Sequence, residues 1–95
     1  MSTTIFVKHT VNDYEDWKRV YDDFTPTRKE MGVTGASVHR DASDPNRITV
    51  THRFNDLDAA RTFADSEELK SAMANAGVAG PPDIWFTEDV EQTAY

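Results

Sequence analysis

Cysteine is missing altogether from the 95 residues, which removes disulfide frameworks, thiolate nucleophiles and cysteine-bearing zinc sites. Basic residues are scarce: 10 lysines and arginines stand against 17 aspartates and glutamates, a formal net charge of −7. Nucleic-acid binding draws on counterion release by a basic face, and an anionic membrane surface selects for the same sign, so neither partner is expected. No apolar run reaches the length of a membrane span or a signal-peptide core, and Lys8 and His9 interrupt the first residues. The expectation is a cytoplasmic protein. No period of roughly 20–50 residues repeats and no low-complexity linker is present, so residues 1–95 read as one domain. A chain this short buries only about 60–65% of its unfolded surface and has little margin for an internal cavity. Also missing are a Gly-x-Ser-x-Gly elbow, a glycine-rich phosphate loop and a helical His-Glu-x-x-His pair, which leaves hydrolase, nucleotide-binding and zinc-protease chemistry without support.

What is present is periodicity. Ile5, Val7 and Val11 alternate with Thr4, Lys8 and Thr10, the period of a half-buried strand over 4–11, with His9 on the apolar side. Asn12 or Asp13 caps an amphipathic helix whose stripe is Tyr14, Trp17, Val20, Tyr21 and Phe24. Pro26 predicts a kink, or a restart with Thr25 as cap, and the helix stops by Gly32. A short strand over 36–40 and turn formers at 41–46 lead to a third strand over 47–54, where Ile48, Val50, His52 and Phe54 share one side. Asn55-Asp56 caps a helix carrying Leu57, Ala60, Phe63 and Ala64, and Asp65-Ser66-Glu67-Glu68 opens another with Leu69, Ala72, Met73 and Ala76. Gly77 reads as a left-handed cap. After Gly80-Pro81-Pro82 a last strand is expected over 84–90, with Ile84, Phe86, Glu88 and Val90 opposite Trp85, Thr87 and Asp89.

Strand, helix, strand, strand, helix, strand is the α+β, ferredoxin-like βαββαβ order: a four-stranded antiparallel sheet with helices on one face. The other face carries Phe6, His39, Thr49, Thr51 and Trp85, and packing two such faces together predicts a homodimer.

Val7-Lys8-His9, Asp13-Tyr14-x-x-Trp17, Arg28 to Gly32, Asp44-Pro45-Asn46 and Ser66-x-x-Leu69-x-x-Ala72-Met73-x-x-Ala76-Gly77-Val78 carry a resemblance over nearly the whole chain. The sequence resembles the dimeric α+β barrel superfamily, and within it the small proteins grouped with antibiotic biosynthesis monooxygenases. The resemblance implies a homodimer. It also implies one of several activities: cofactor-independent quinone-forming oxygenase, heme-degrading oxygenase or aromatic polyketide cyclase. The leading expectation is a small-molecule-binding protein that oxidises an aromatic or polyketide-like compound without a cofactor. The alternatives are a non-catalytic barrel of binding or stress-related role, or a polyketide cyclase. Fold alone does not choose among them. Heme degradation is not expected, because the branch's tryptophan and histidine positions hold Phe54 and Met73. No metal or other cofactor is therefore expected.

The resemblance places a pocket between sheet and helices, for a small aromatic ligand walled by Trp17, Tyr21, Phe54, Met73 and Phe86. Helical aromatic spacing alone reads equally as core packing. His52 and His9, each in an apolar register, are candidates for a base or proton relay; the alternative is a strand-end imidazole bonded to a carbonyl. The two fall toward opposite ends of the sheet, which argues against a shared metal. Glu88 is a third candidate base or histidine partner, or else a carboxylate reaching solvent. Most other acids occupy helix caps and first turns, where they complement the helix dipole.

Overall fold

The computed structural model describes residues 2–95. Eight elements follow in the order β1 (Thr3–Val11), α1 (Tyr14–Asp23), α2 (Thr25–Glu30), β2 (Gly35–Arg40), β3 (Arg47–Phe54), α3 (Leu57–Ala64), α4 (Glu67–Asn75) and β4 (Val78–Glu88). The strands form one antiparallel sheet in the order β2-β3-β1-β4. This is the expected ferredoxin-like α+β architecture. No helix among the described residues is long and apolar enough to cross a membrane.

Caps set the helix starts. Asp13 accepts from the Asp16 N–H at 3.1 Å, Asp56 from the Ala59 N–H at 2.8 Å, and Ser66 Oγ from the Leu69 N–H at 3.1 Å, each satisfying one otherwise unpaired first-turn donor. Gly77 takes φ +75° after α4, the left-handed conformation that ends a helix without steric penalty.

Two expectations are corrected. Thr25 is not a cap: it lies inside α2, behind Phe24, and its Oγ1 accepts from Arg28 Nη2 at 2.6 Å. The chain passes Pro26 almost in helical phase, because Phe24 N–H bonds to Val20 O and Arg28 N–H to Phe24 O, both at 3.0 Å. The last strand also differs. It begins at Val78, so Gly80-Pro81-Pro82 lie within it, and it ends at Glu88. Its pairing with β1 shifts register between Lys8 and Thr10. Gly80 at φ +77° permits that irregularity, and an edge strand has one unpaired side where a missing proline N–H costs little.

The register arranges the helix-facing side chains in rows. Phe54, Thr3 and Glu88 form one; His52, Ile5 and Phe86 the next; then Val50, Val7 and Ile84; then Ile48 beside His9. Under the helices lie two adjoining clusters. Ile5, Val7, Phe54, Ala60, Phe63 and Leu69 pack beneath α3 and α4. Val11, Trp17, Ile48, Val50 and Ala76 pack beneath α1. Full burial of each large side chain contributes about 1.5–3 kcal/mol.

Candidate functional site

The seam between the two clusters is not closed. A cavity of about 50 Å³ remains there, lined by Val7, Val50 and both buried histidines from the sheet, by Trp17, Val20, Tyr21, Phe24 and Arg28 from the first helical layer, and by Leu69, Ala72, Met73 and Ala76 from α4 and its end. Of these, Val20, Tyr21, Phe24, Ala72 and Met73 are only half-buried.

An aromatic arc crosses it. The His9 and Trp17 ring centroids are 5.7 Å apart, Trp17 and Tyr21 stack at 5.0 Å, and Tyr21 lies 6.4 Å from His52. Phe63 closes on the other side of His52 at 5.1 Å. His52 is 5% exposed, and its Nδ1 is buried without a hydrogen-bond partner. Burial, then the nearby Arg28 charge, push this imidazole down to about 4. His52 is therefore neutral at pH 7, with acceptor capacity that no protein group uses. His9 is also buried, neither of its ring nitrogens has a partner, and burial lowers its pKa as well. One row of the sheet separates the histidines, about 13 Å by strand rise. Among the described residues no group of three or more His, Cys, Asp or Glu could hold a metal ion, and Phe54 and Met73 offer heme iron no imidazole.

Arg28 is the residue that the sequence reading left out. It is only 6% exposed, its guanidinium carbon sits 3.7 Å from the Tyr21 ring centroid, and Thr25 holds one terminal nitrogen. The other, Nη1, is buried with no partner. The available signal was spacing: Tyr14, Trp17, Tyr21, Phe24 and Arg28 follow a single three-four alternation, so a cation occupies a position of the apolar stripe.

Of the residues expected at the site, His52, His9, Trp17, Tyr21 and Met73 border one cavity. Phe54 is completely buried beside Phe63, with ring centroids 5.4 Å apart, and is not on the cavity wall. Phe86, in the His52 row but on edge strand β4, is 40% exposed and outside the cavity. Glu88 is exposed, one row along and two strands across from His52. On the outer sheet face Phe6 stacks on Trp85 at 5.5 Å, and Ser37 Oγ is 2.9 Å from His39 Nε2 and 2.5 Å from Thr51 Oγ1.

Residues 7–75 match the family model described as antibiotic biosynthesis monooxygenase. Among solved structures, one of that same designation from Bordetella bronchiseptica is 18% identical with a TM-score of 0.81, over 95% of this chain and 98% of the other. SnoaB, a cofactor-independent oxygenase from Streptomyces nogalater, is 13% identical with a TM-score of 0.78, over 96% and 95% of the two chains. A protein of unknown function from Nitrosomonas europaea is 17% identical with a TM-score of 0.77, over 99% and 94%. At these identities the likeness establishes the fold. No curated protein matches the chain.

Proposed function

Because the chain belongs to the antibiotic biosynthesis monooxygenase family, we propose that it binds a small, flat aromatic or polyketide-like compound in the seam cavity and oxidises it with dioxygen, without metal or flavin. The observation that carries this reading is a neutral, unpartnered imidazole, His52, on the wall of a cavity whose other surfaces, Arg28 apart, are apolar and aromatic. SnoaB, of the same fold, is described as a cofactor-independent oxygenase.

Each group then has a task. Trp17 and Tyr21 stack on the ring. Leu69 and Met73 keep water from it, and His52 accepts the phenolic or enolic proton. His9 lies at the far end as a relay. The resulting anion is electron-rich and reacts with dioxygen. When a ring CH2 becomes C=O, one oxygen atom ends in the carbonyl and the other leaves as water with the two hydrogens. The substrate supplies all the electrons that reduce dioxygen. At about 50 Å³ the resting cavity is smaller than the roughly 150 Å³ that accommodates benzene in an apolar interior. A ring therefore enters by turning the unbranched, adaptable Met73 side chain.

The assembly in this reading is a cytoplasmic homodimer packed through the outer sheet faces. Trp85, 44% exposed beside Phe6, is its anchor.

The cavity's small volume favours a second reading, a non-catalytic barrel in which the same groups only bind. A cyclase would use the cavity without consuming oxygen. An oxygen electrode with naphthols and hydroxyanthrones separates the three: the oxygenase consumes one dioxygen per quinone formed and loses that activity in His52→Gln. Ring closure of an open-chain poly-β-ketone, offered in parallel because naphthols and hydroxyanthrones are already cyclic, would establish the cyclase if it consumed no oxygen. Saturable binding with no turnover would establish the binding module.

A further inference from the structure

We infer that the cavity is built for an aromatic oxyanion, a ring bearing one carboxylate or phenolate, which docks on the Arg28 guanidinium. This rests on the reading that the cavity is a ligand site, and names the chemistry it selects.

The inference starts from charge. The chain has 17 acidic side chains, yet among the described residues none pairs with the one strongly buried cation, Arg28. The ion pairs among the described residues join Lys18 to Asp22, Arg19 to Asp16, Arg53 to Asp89 and Lys70 to Glu67, and every one is at the surface. A buried charge is strongly disfavoured unless it is paired and hydrogen-bonded. Arg28 has only part of what it needs: the Tyr21 face beneath its plane and Thr25 Oγ1 on Nη2. Nη1 is left over. A guanidinium so held is restrained on one face and at one nitrogen, Nη1 keeps unused donor capacity, and a charged oxygen acceptor forms the stronger bond.

The neighbouring groups agree with an anion. His52 is neutral beside Arg28 and adds no negative charge, and no carboxylate lines the cavity. A ring attached to the anion meets Tyr21 and Trp17, stacked 5.0 Å apart. Arg28 also supplies what a weakly basic His52 lacks. A phenol whose developing oxyanion rests on a guanidinium gives up its proton far more readily, so the same contact selects the ligand and assists its ionisation. Arg28 borders a second, shallow depression with Thr25, Lys29 and Thr34, and the test must tell the two sides apart.

The experiment is an NMR titration of the full-length protein that follows the Trp17 indole N–H, which reports only on the cavity side. Benzoate is compared with benzamide, and 4-nitrophenolate with 4-nitroanisole, so that each anion has a neutral partner of nearly the same shape. Each anion is expected to bind about tenfold or more tightly than its neutral partner, the scale of a charged hydrogen bond. Arg28→Gln should erase the preference, and Arg28→Lys should restore part of it. Preference for benzoate alone assigns a carboxylate ligand; preference for both admits a phenolate. Neutral and anionic partners binding equally well would overturn the inference and leave the aromatic cavity standing. If neither moved the Trp17 signal, the cavity reading would fail with it. The wild-type comparison decides the matter even if Arg28→Gln does not fold.

Discussion

The guanidinium of Arg28 lies 3.7 Å from the centre of the Tyr21 ring, and Tyr21 in turn stands 6.4 Å from the His52 imidazole. One aromatic ring thus neighbours both the buried cation and the buried base at the cavity. That arrangement has consequences for pH, ligand entry, assembly and folding.

Acid should destabilise the fold well above the carboxylate range. His52 is near 4 in the folded chain, against about 6.5 when unfolded. Between those values the unfolded state binds the extra proton, so stability is full above about pH 6.5 and falls as the pH drops toward 4, by up to about 1.4 kcal/mol per unit. His9, lowered by burial, adds in the same direction. Asp89, depressed mainly by hydrogen bonds from Ser2 and Thr4, adds a loss only at lower pH, as its carboxylate protonates. Urea midpoints should decline from pH 7 to 4.5, and His52→Gln should flatten that decline. A level midpoint over the range would contradict a buried neutral His52.

Opening the cavity wall should help ligands and cost stability. Met73→Ala removes a half-buried side chain from the cavity wall, and truncation in a partly buried position costs about 1–3 kcal/mol. Calorimetry should show tighter binding of single-ring aromatics despite the lower melting temperature. Unchanged affinity would mean that Met73 does not gate entry.

Assembly has a simple readout. Light scattering should give twice the 10.7 kDa chain mass. Trp85→Asp, which places a charge beside Phe6, should halve it. A monomeric wild type at micromolar concentration would remove the sheet-to-sheet homodimer from the account.

Gly77 is where α4 stops. Its φ of +75° and its carbonyl bond to the Asn12 N–H at 3.0 Å tie the end of α4 to the end of β1. Gly77→Ala should lower stability by about 1 kcal/mol or more in chemical denaturation. An unchanged midpoint would show that the left-handed geometry is not needed there.

Most of the fold was legible because alternation and caps speak locally. Ile48, Val50, His52 and Phe54 declare a strand face by themselves, and Asp56 and Ser66 mark helix starts by their own side-chain chemistry. Arg28 was hidden by Pro26, whose ring suggests a broken helix. Its place in the stripe of Tyr21 and Phe24 emerges only once the backbone is seen to keep helical phase across that proline. Gly80-Pro81-Pro82 resembled a turn for a similar reason, since being tolerated inside a strand depends on that strand being at the sheet edge. Phe86 shows the other limit. Its register names the correct face, but whether a helix covers that row depends on packing beyond the strand itself. Much of the acidity that dominates the composition belongs to helix starts, and it leaves the one cation buried among the described residues without a carboxylate partner.

The central claim is that a neutral His52 faces a ligand cavity, and imidazole nitrogen NMR tests it most directly. The account predicts that the His52 ring stays neutral down to about pH 4, and that its nitrogen shifts move when a small phenol is added at pH 7. A His52 that titrates near the ordinary histidine value, or whose nitrogens ignore every aromatic ligand, would contradict it.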